Sequence, residues 1–193
     1  MIDRPEADAM RDVADTDTAP GAAKAAPARV RIQHEDFDVG CELAELRAGD
    51  AGIGAAVAFV GSVRDRESAQ TTACAVEALE LEHYPGMTEA AIERMLDCAI
   101  ERFGLRAARV VHRVGRLELH AQIVLVVAAA AHRGAAFQGC EFLIDYLKTQ
   151  APFWKKEHTA QGAAWVDARV ADDAALARWG LAADNAAVGA FGV

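Results

Sequence analysis

Between His132 and Lys156 the chain carries Arg133, Lys148, Lys155 and Lys156 against Glu141 and Asp145, a local charge of +2. The formal net charge of the whole chain is -9, so the remainder stands at -11. His132 and Arg133 lie where a strand-like run, QIVLVVAAAA, gives way to a helical pattern. A helix N-terminus offers free backbone N–H groups and the positive end of the helix dipole to an anion. A cation at that end is unfavourable for the helix alone, which suggests that a bound anion offsets it. Lys148 falls in the last turn of the same helical pattern, and Lys155 follows seven residues later, beyond Pro152. The proline redirects the chain, so both amines can face one pocket. Two ammonium groups close together in a partly dry site lower each other's pKa. A lysine tuned in this way serves as acid, base or nucleophile near neutral pH. Arg64, in a polar loop after a buried strand, adds a planar fork suited to phosphate.

Each of these residues also has a plainer reading. A lysine in a last helical turn complements the dipole, and Asp145 at i-3 can pair with Lys148. Lys155 and Lys156 can be exposed charges on an edge strand. His132 can be a capping residue and Arg64 a solvated loop charge. Spacing alone leaves these alternatives open.

The elements that must position these residues follow from periodicity. ARVRIQ from Ala28 alternates as a half-buried strand, and Asp38 can cap a short helix running to about Arg47. Ile53 to Val60 reads as a buried strand, followed by a polar loop from about Arg64 to Thr72. VEALELEH from Val76 alternates again, and Pro85-Gly86 turns the chain. Ile92, Met95, Leu96, Ala99, Ile100 and Phe103 form one helical stripe, with Thr88 near its start and Gly104 past its end. ARVVHRVG and QIVLVVAAAA are β-rich, the second reading as a central strand. A second long helix runs from about Gly134 to Gln150, burying Ala136, Cys140, Leu143, Ile144 and Leu147, and Pro152 stops it. FWKKEH and AAWVDA read as two strands joined at Gln161-Gly162, and a short helix near Ala171 to Trp179 closes the domain. The fold class is α+β, with one main, mainly antiparallel sheet and two long helices.

The 193 residues suit a single domain with tails. Residues 1–28 hold six acids against three bases and almost no large apolar side chain, so they are expected to be a disordered acidic segment. The domain is placed at residues 29–180 and an Ala- and Gly-rich flexible tail at 181–193. The acid excess argues against sequence-blind nucleic-acid binding. The longest apolar run, Ile123 to Ala131, is about half a membrane span, and the N-terminus lacks an apolar signal core. A cytoplasmic location is expected, with Cys41, Cys74, Cys98 and Cys140 as buried thiols. No Walker loop, dinucleotide fingerprint, H-E-x-x-H or G-x-S-x-G is present, and His112 and His120 lack metal-ligand spacing.

Five stretches carry a resemblance. AFVGSVRD (58–65), LEHYPGMTE (81–89), HRVGRLE (112–118), AHRGAAF (131–137) and DYLKTQAPFWKKE (145–157) occur in an order and spacing that resemble the MoaE family, the large catalytic subunits of molybdopterin synthase. The resemblance spans about residues 28–180. It implies an α/β hammerhead-type fold and a homodimer at the core of a heterotetramer. Each large subunit binds a small ubiquitin-like sulfur carrier whose C-terminal Gly-Gly tail, ending in a thiocarboxylate, enters the active site. Two sulfurs pass to cyclic pyranopterin monophosphate and form the dithiolene of molybdopterin, with no metal or other cofactor at this step. The same resemblance assigns catalysis to Lys148 and Lys155, and substrate binding to Arg64, Ser62, Val63, His132, Arg133, Lys156 and Glu157. His132 and Arg133 then reach the site across the dimer interface, and Ser62 stands where some members carry Lys. Phe153 and Trp154 are expected as core or pocket wall. A non-catalytic carrier-binding module of the same fold is the alternative, and the intact lysine pair argues against it.

The core-poor composition of the N-terminal segment gives a first prediction. Deleting residues 1–25 is expected to leave the melting temperature and turnover nearly unchanged. A fall of many degrees in a thermal melt would show that the segment is packed.

Overall fold

The computed structural model describes residues 28–65, 75–166 and 179–180. The acidic N-terminal segment, most of the loop after Arg64, the expected last helix before Trp179 and the 181–193 tail lie outside the described residues. In chain order the elements are β1 (Val30–Gln33), α1 (Val39–Arg47), β2 (Ala55–Ser62), β3 (Val76–His83), α2 (Met87–Phe103), β4 (Ala107–Arg113), β5 (Gly115–Glu118), β6 (Gln122–Ala130), α3 (Arg133–Gln150), β7 (Phe153–Thr159) and β8 (Gly162–Val166).

The helices begin and end where their local chemistry directs. Asp38 accepts a hydrogen bond from the Cys41 amide at 2.7 Å and caps α1. The Glu89 carboxylate reaches back to the Gly86 amide at 2.6 Å and ties the first turn of α2. Gly104 closes α2 with φ +63, a left-handed conformation that a side chain would strain.

Two four-stranded sheets form, ordered β1-β4-β6-β2 and β5-β3-β7-β8, where one main sheet was expected. The pairings are antiparallel except β1 with β4. The division has a physical cause. Strand β6 is already paired on both edges, by β2 and by β4, so the later strands cannot join it. Strand β7 pairs instead with β3, and β8 adds to β7. The strand β5, absent from the sequence reading, is only four residues long and separated from β4 by Val114 alone. Gly115, with φ +80, makes that turn, and a Cβ there would meet the His34 ring at 2.8 Å. Strand β7 lies between β3 and β8, so it is not an edge.

Side-chain alternation along the first sheet builds a core on each face. Val110 of β4 and Val126 and Ala128 of β6 pack against the stripe Ile92, Met95, Leu96 of α2 and against Phe142 and Leu143 of α3. Val111, Leu125 and Val127 face the other way, beneath Val39, Leu43 and Leu46 of α1. Arg109 shares that second face and is buried there, its guanidinium bonded to Glu42 at 2.5 Å and Glu45 at 3.2 Å. The second sheet has a smaller core of Val63, Leu79, Leu81 and Leu117. Of the cysteines, Cys74 lies outside the described residues, while Cys140 is buried, and burial raises its thiol to about 11. Cys41 and Cys98 are exposed, contrary to the expected burial, because each sits on the solvent side of its helix.

His112 continues the Ala108–Val110 face of β4 and stacks on Phe153 of β7, with ring centroids 3.9 Å apart. Burial lowers its pKa from 6.5 to about 4, with a smaller contribution of the same sign from His83, while the Arg113 carbonyl opposes the shift. An unfolded chain therefore takes up this proton first, and native stability falls as the pH drops from about 6.5 to about 4. The loss over that window is about 3 kcal/mol. Urea unfolding at pH 7 and pH 4.5 is expected to show a smaller decline for His112→Phe than for the parent chain. Equal declines would place the titration elsewhere.

Candidate functional site

The two sheets diverge around a cavity of about 580 Å³, a size suited to a small molecule. One wall is a face of α3, where Ile144, Leu147, Lys148 and the following Ala151 recur at helical spacing. Another is the inner face of β7. In its antiparallel register with β3, Lys155 lies opposite Leu81 and Glu157 opposite Leu79, so these side chains share the buried face of the sheet. Phe153, Lys155 and Glu157 all line the cavity. The end of β2 and the loop after it supply Ser62, Val63 and Arg64.

Local bonding positions these groups. The Val63 amide donates to the Ala121 carbonyl at 2.9 Å, and the Val63 carbonyl accepts from the His120 amide at 2.8 Å. With its side chain buried as well, Val63 anchors the chain so that Arg64 follows at the cavity edge. The step from α3 to β7 is also tethered. Thr88, fully buried in the first turn of α2, donates from its hydroxyl to the Pro152 carbonyl at 3.2 Å and accepts from the Tyr84 amide at 3.1 Å. Lys148 and Lys155 flank that tethered proline, and both face the cavity. Lys155 Nζ lies 3.2 Å from Glu157 Oε1, so the half-buried ammonium has a carboxylate beside it. The charged lining residues are Arg64, Lys148 and Lys155 against Glu157, a cationic excess within an acidic chain.

Three of the sequence-derived candidates lie elsewhere in the same chain. Lys156 points from the opposite face of β7, with Nζ 3.8 Å from Glu80 and 5.3 Å from the centre of the Trp165 ring. Trp154 shares that outer face and is exposed. His132 and Arg133 are exposed at the N-terminal end of α3, about 24 Å along the helix from Lys148 at 1.5 Å per residue. His112 and Thr88 were missed by the sequence reading. The alternation Ala108, Val110, His112 was a signal for the first, whereas nothing in the sequence pairs Thr88 with Pro152. Among the described residues no cluster of three or more His, Cys, Asp or Glu side chains could hold a metal ion. Among them, too, no helix is long and apolar enough to cross a membrane.

Comparison with known proteins bears on the same residues. The family model described as MoaE protein matches residues 32–150. This chain belongs to the MoaE family. A molybdopterin synthase catalytic subunit from Ralstonia nicotianae is 57% identical over 157 residues, covering 81% of this chain and 87% of that protein. Another from Rhizobium meliloti is 55% identical, covering 80% and 97%. Among solved structures, the molybdopterin biosynthesis MoaE protein of Burkholderia ambifaria is 54% identical, with a TM-score of 0.68 over 80% of this chain and 99% of that one. Molybdopterin synthase of Staphylococcus aureus is 28% identical, with a TM-score of 0.64 over 73% and 98%. The MoaE match takes in β2, β4 and α3 of the cavity lining and ends before β7, and the named relatives are covered over 87% to 99% of their own length.

Proposed function

We propose that this MoaE-family enzyme is the catalytic subunit of a molybdopterin synthase, acting as a sulfurtransferase. It moves two sulfurs from the thiocarboxylate tails of a small ubiquitin-like carrier to cyclic pyranopterin monophosphate. The observation that carries this reading is the convergence of Lys148, Lys155 and Arg64 on one cavity of about 580 Å³. The reactants and products are anionic: a phosphate, a thiocarboxylate and, after transfer, a carboxylate. A cavity with a cationic excess in a chain of net charge -9 attracts such ligands locally without making the whole surface basic.

In each transfer the thiocarboxylate sulfur bonds to a pterin carbon as that carbon's bond to oxygen breaks, and water then cleaves the carrier's carbon–sulfur bond, its oxygen leaving the carrier tail as a carboxylate. Negative charge develops at the carrier carbonyl and on the departing oxygen of the pterin. Lys148, exposed in the last turn of α3, exchanges the proton at Nζ. Lys155, held beside Glu157, stabilises the developing charge. Arg64 binds the pterin phosphate, aided by His132 and Arg133. Those two lie far along α3 from Lys148 in the same chain, and the family resemblance implies that they reach the cavity of a second copy, with a homodimer binding two carriers as the functional unit.

Lys148→Ala is expected to lower turnover by about 100- to 10,000-fold with the fold intact. Lys148→Arg restores little, since a guanidinium stays protonated. Mixing Lys148→Ala chains with Arg133→Ala chains is expected to recover part of the activity, because a mixed dimer holds one intact site. Full turnover in Lys148→Ala would remove Lys148 from the chemistry, whereas a parent chain that binds the carrier without any turnover would be only a carrier-binding module. No recovery despite verified chain exchange would mean that each site is built within one chain.

A further inference from the structure

One group on the cavity wall has no part in the chemistry above. His112 is 7% exposed, and its Nδ1 lies 2.8 Å from the Arg113 carbonyl oxygen. A carbonyl oxygen only accepts, so Nδ1 carries the proton. One ring face is covered by Phe153, at an interplanar angle of 17°. Rotating the ring would lose the bond to Arg113, so tautomer and orientation are fixed together. With its pKa lowered to about 4, the ring is neutral at pH 7 and Nε2 keeps its lone pair.

We propose that His112 is a substrate-reading residue, whose Nε2 accepts a hydrogen bond from a ring N–H of the bound pterin. The proposal rests on the function assigned above. The other polar side chains of the cavity suit a different part of the ligand. Arg64, Lys148 and Lys155 only donate, and Glu157 is paired with Lys155. Ser62 is exposed at the end of β2. A pterin brings in-plane N–H donors and two flat apolar faces. Val124 pairs across from His112 and Phe153 stacks on its ring, and with Phe59 and Ile144 they give the cavity apolar lining that suits those faces. A glycine tail would instead present alternating amide donors and carbonyl acceptors, for which this apolar end has no matching set.

The test is steady-state kinetics of His112→Phe and His112→Gln beside the parent enzyme. Phenylalanine keeps the stack on Phe153 and removes the acceptor. Glutamine can present an oxygen near the Nε2 position. For His112→Phe the KM for the pterin is expected to rise about 10- to 100-fold, the cost of an unpaired buried donor. Its kcat and the KM for the carrier should stay within about threefold of the parent. His112→Gln should recover most of the loss. An unchanged pterin KM in His112→Phe overturns the proposal, and a rise confined to the carrier KM assigns the acceptor to the tail instead. Should the variants fail to fold, 15N spectra of the imidazoles in the unmodified protein decide. Nε2 of His112 is expected to be unprotonated and to shift on adding cyclic pyranopterin monophosphate, but not inorganic phosphate or a Gly-Gly peptide. A protonated Nε2, or one unmoved by saturating pterin, contradicts the proposal. Absence of sulfur transfer by the parent enzyme would fail the assigned function itself, a separate result.

Discussion

Two very short joints lead into the second sheet, one from β4 and one from α3, and the site depends on them. Val114 alone separates β4 from β5, and Ala151–Pro152 separate α3 from β7. Neither joint leaves freedom to slide one sheet over the other. The stack of His112 on Phe153 sits between the two joints and closes the gap with aromatic contact. The Thr88 bond to the Pro152 carbonyl adds a tether from α2. Together they set the sheets apart at one end and leave the cavity open between α3 and β7. Lys148 and Lys155 stand on the two elements that the Ala151–Pro152 joint connects, so their relation is a property of the backbone.

The electrostatics follow from the same arrangement. Antiparallel pairing with β3 sends alternate residues of β7 to opposite faces. Lys155 and Glu157 turn inward, while Lys156 turns outward to Glu80 and Trp165. The outward charges are neutralised on the surface. Inside, three cationic side chains share the wall with one carboxylate. The cavity is thus basic through placement, against the sign of the whole chain.

Much of this was legible in the residues. The stripe from Ile92 to Phe103 marks α2, and Pro152 marks the end of α3, because both signals are local. Asp38 capped its helix as its side-chain chemistry demands. The division into two sheets was not legible, since strand order is decided by which edges remain free once β6 has taken β2 and β4. The opposite facing of Lys155 and Lys156 depends on register, which no composition records. His112 was hidden by its neighbours: Arg109 and Arg113 flank the apolar alternation of β4, so the strand does not look like a wall of a cavity. The resemblance to the MoaE family supplied candidate residues that spacing alone could not choose between, and the fold brings Ser62, Val63, Arg64, Lys148, Lys155 and Glu157 to one cavity.

The central claim is that this cavity transfers sulfur to a pterin, and mass spectrometry of the pterin product addresses it most directly. The purified chain is incubated with cyclic pyranopterin monophosphate and a thiocarboxylated carrier, and the sulfur content of the pterin is read together with the state of the carrier tail. The account predicts a product carrying two sulfurs as a dithiolene, with two carriers converted to the carboxylate for each pterin. Carrier that stays thiocarboxylated, or a pterin recovered without sulfur, would contradict it.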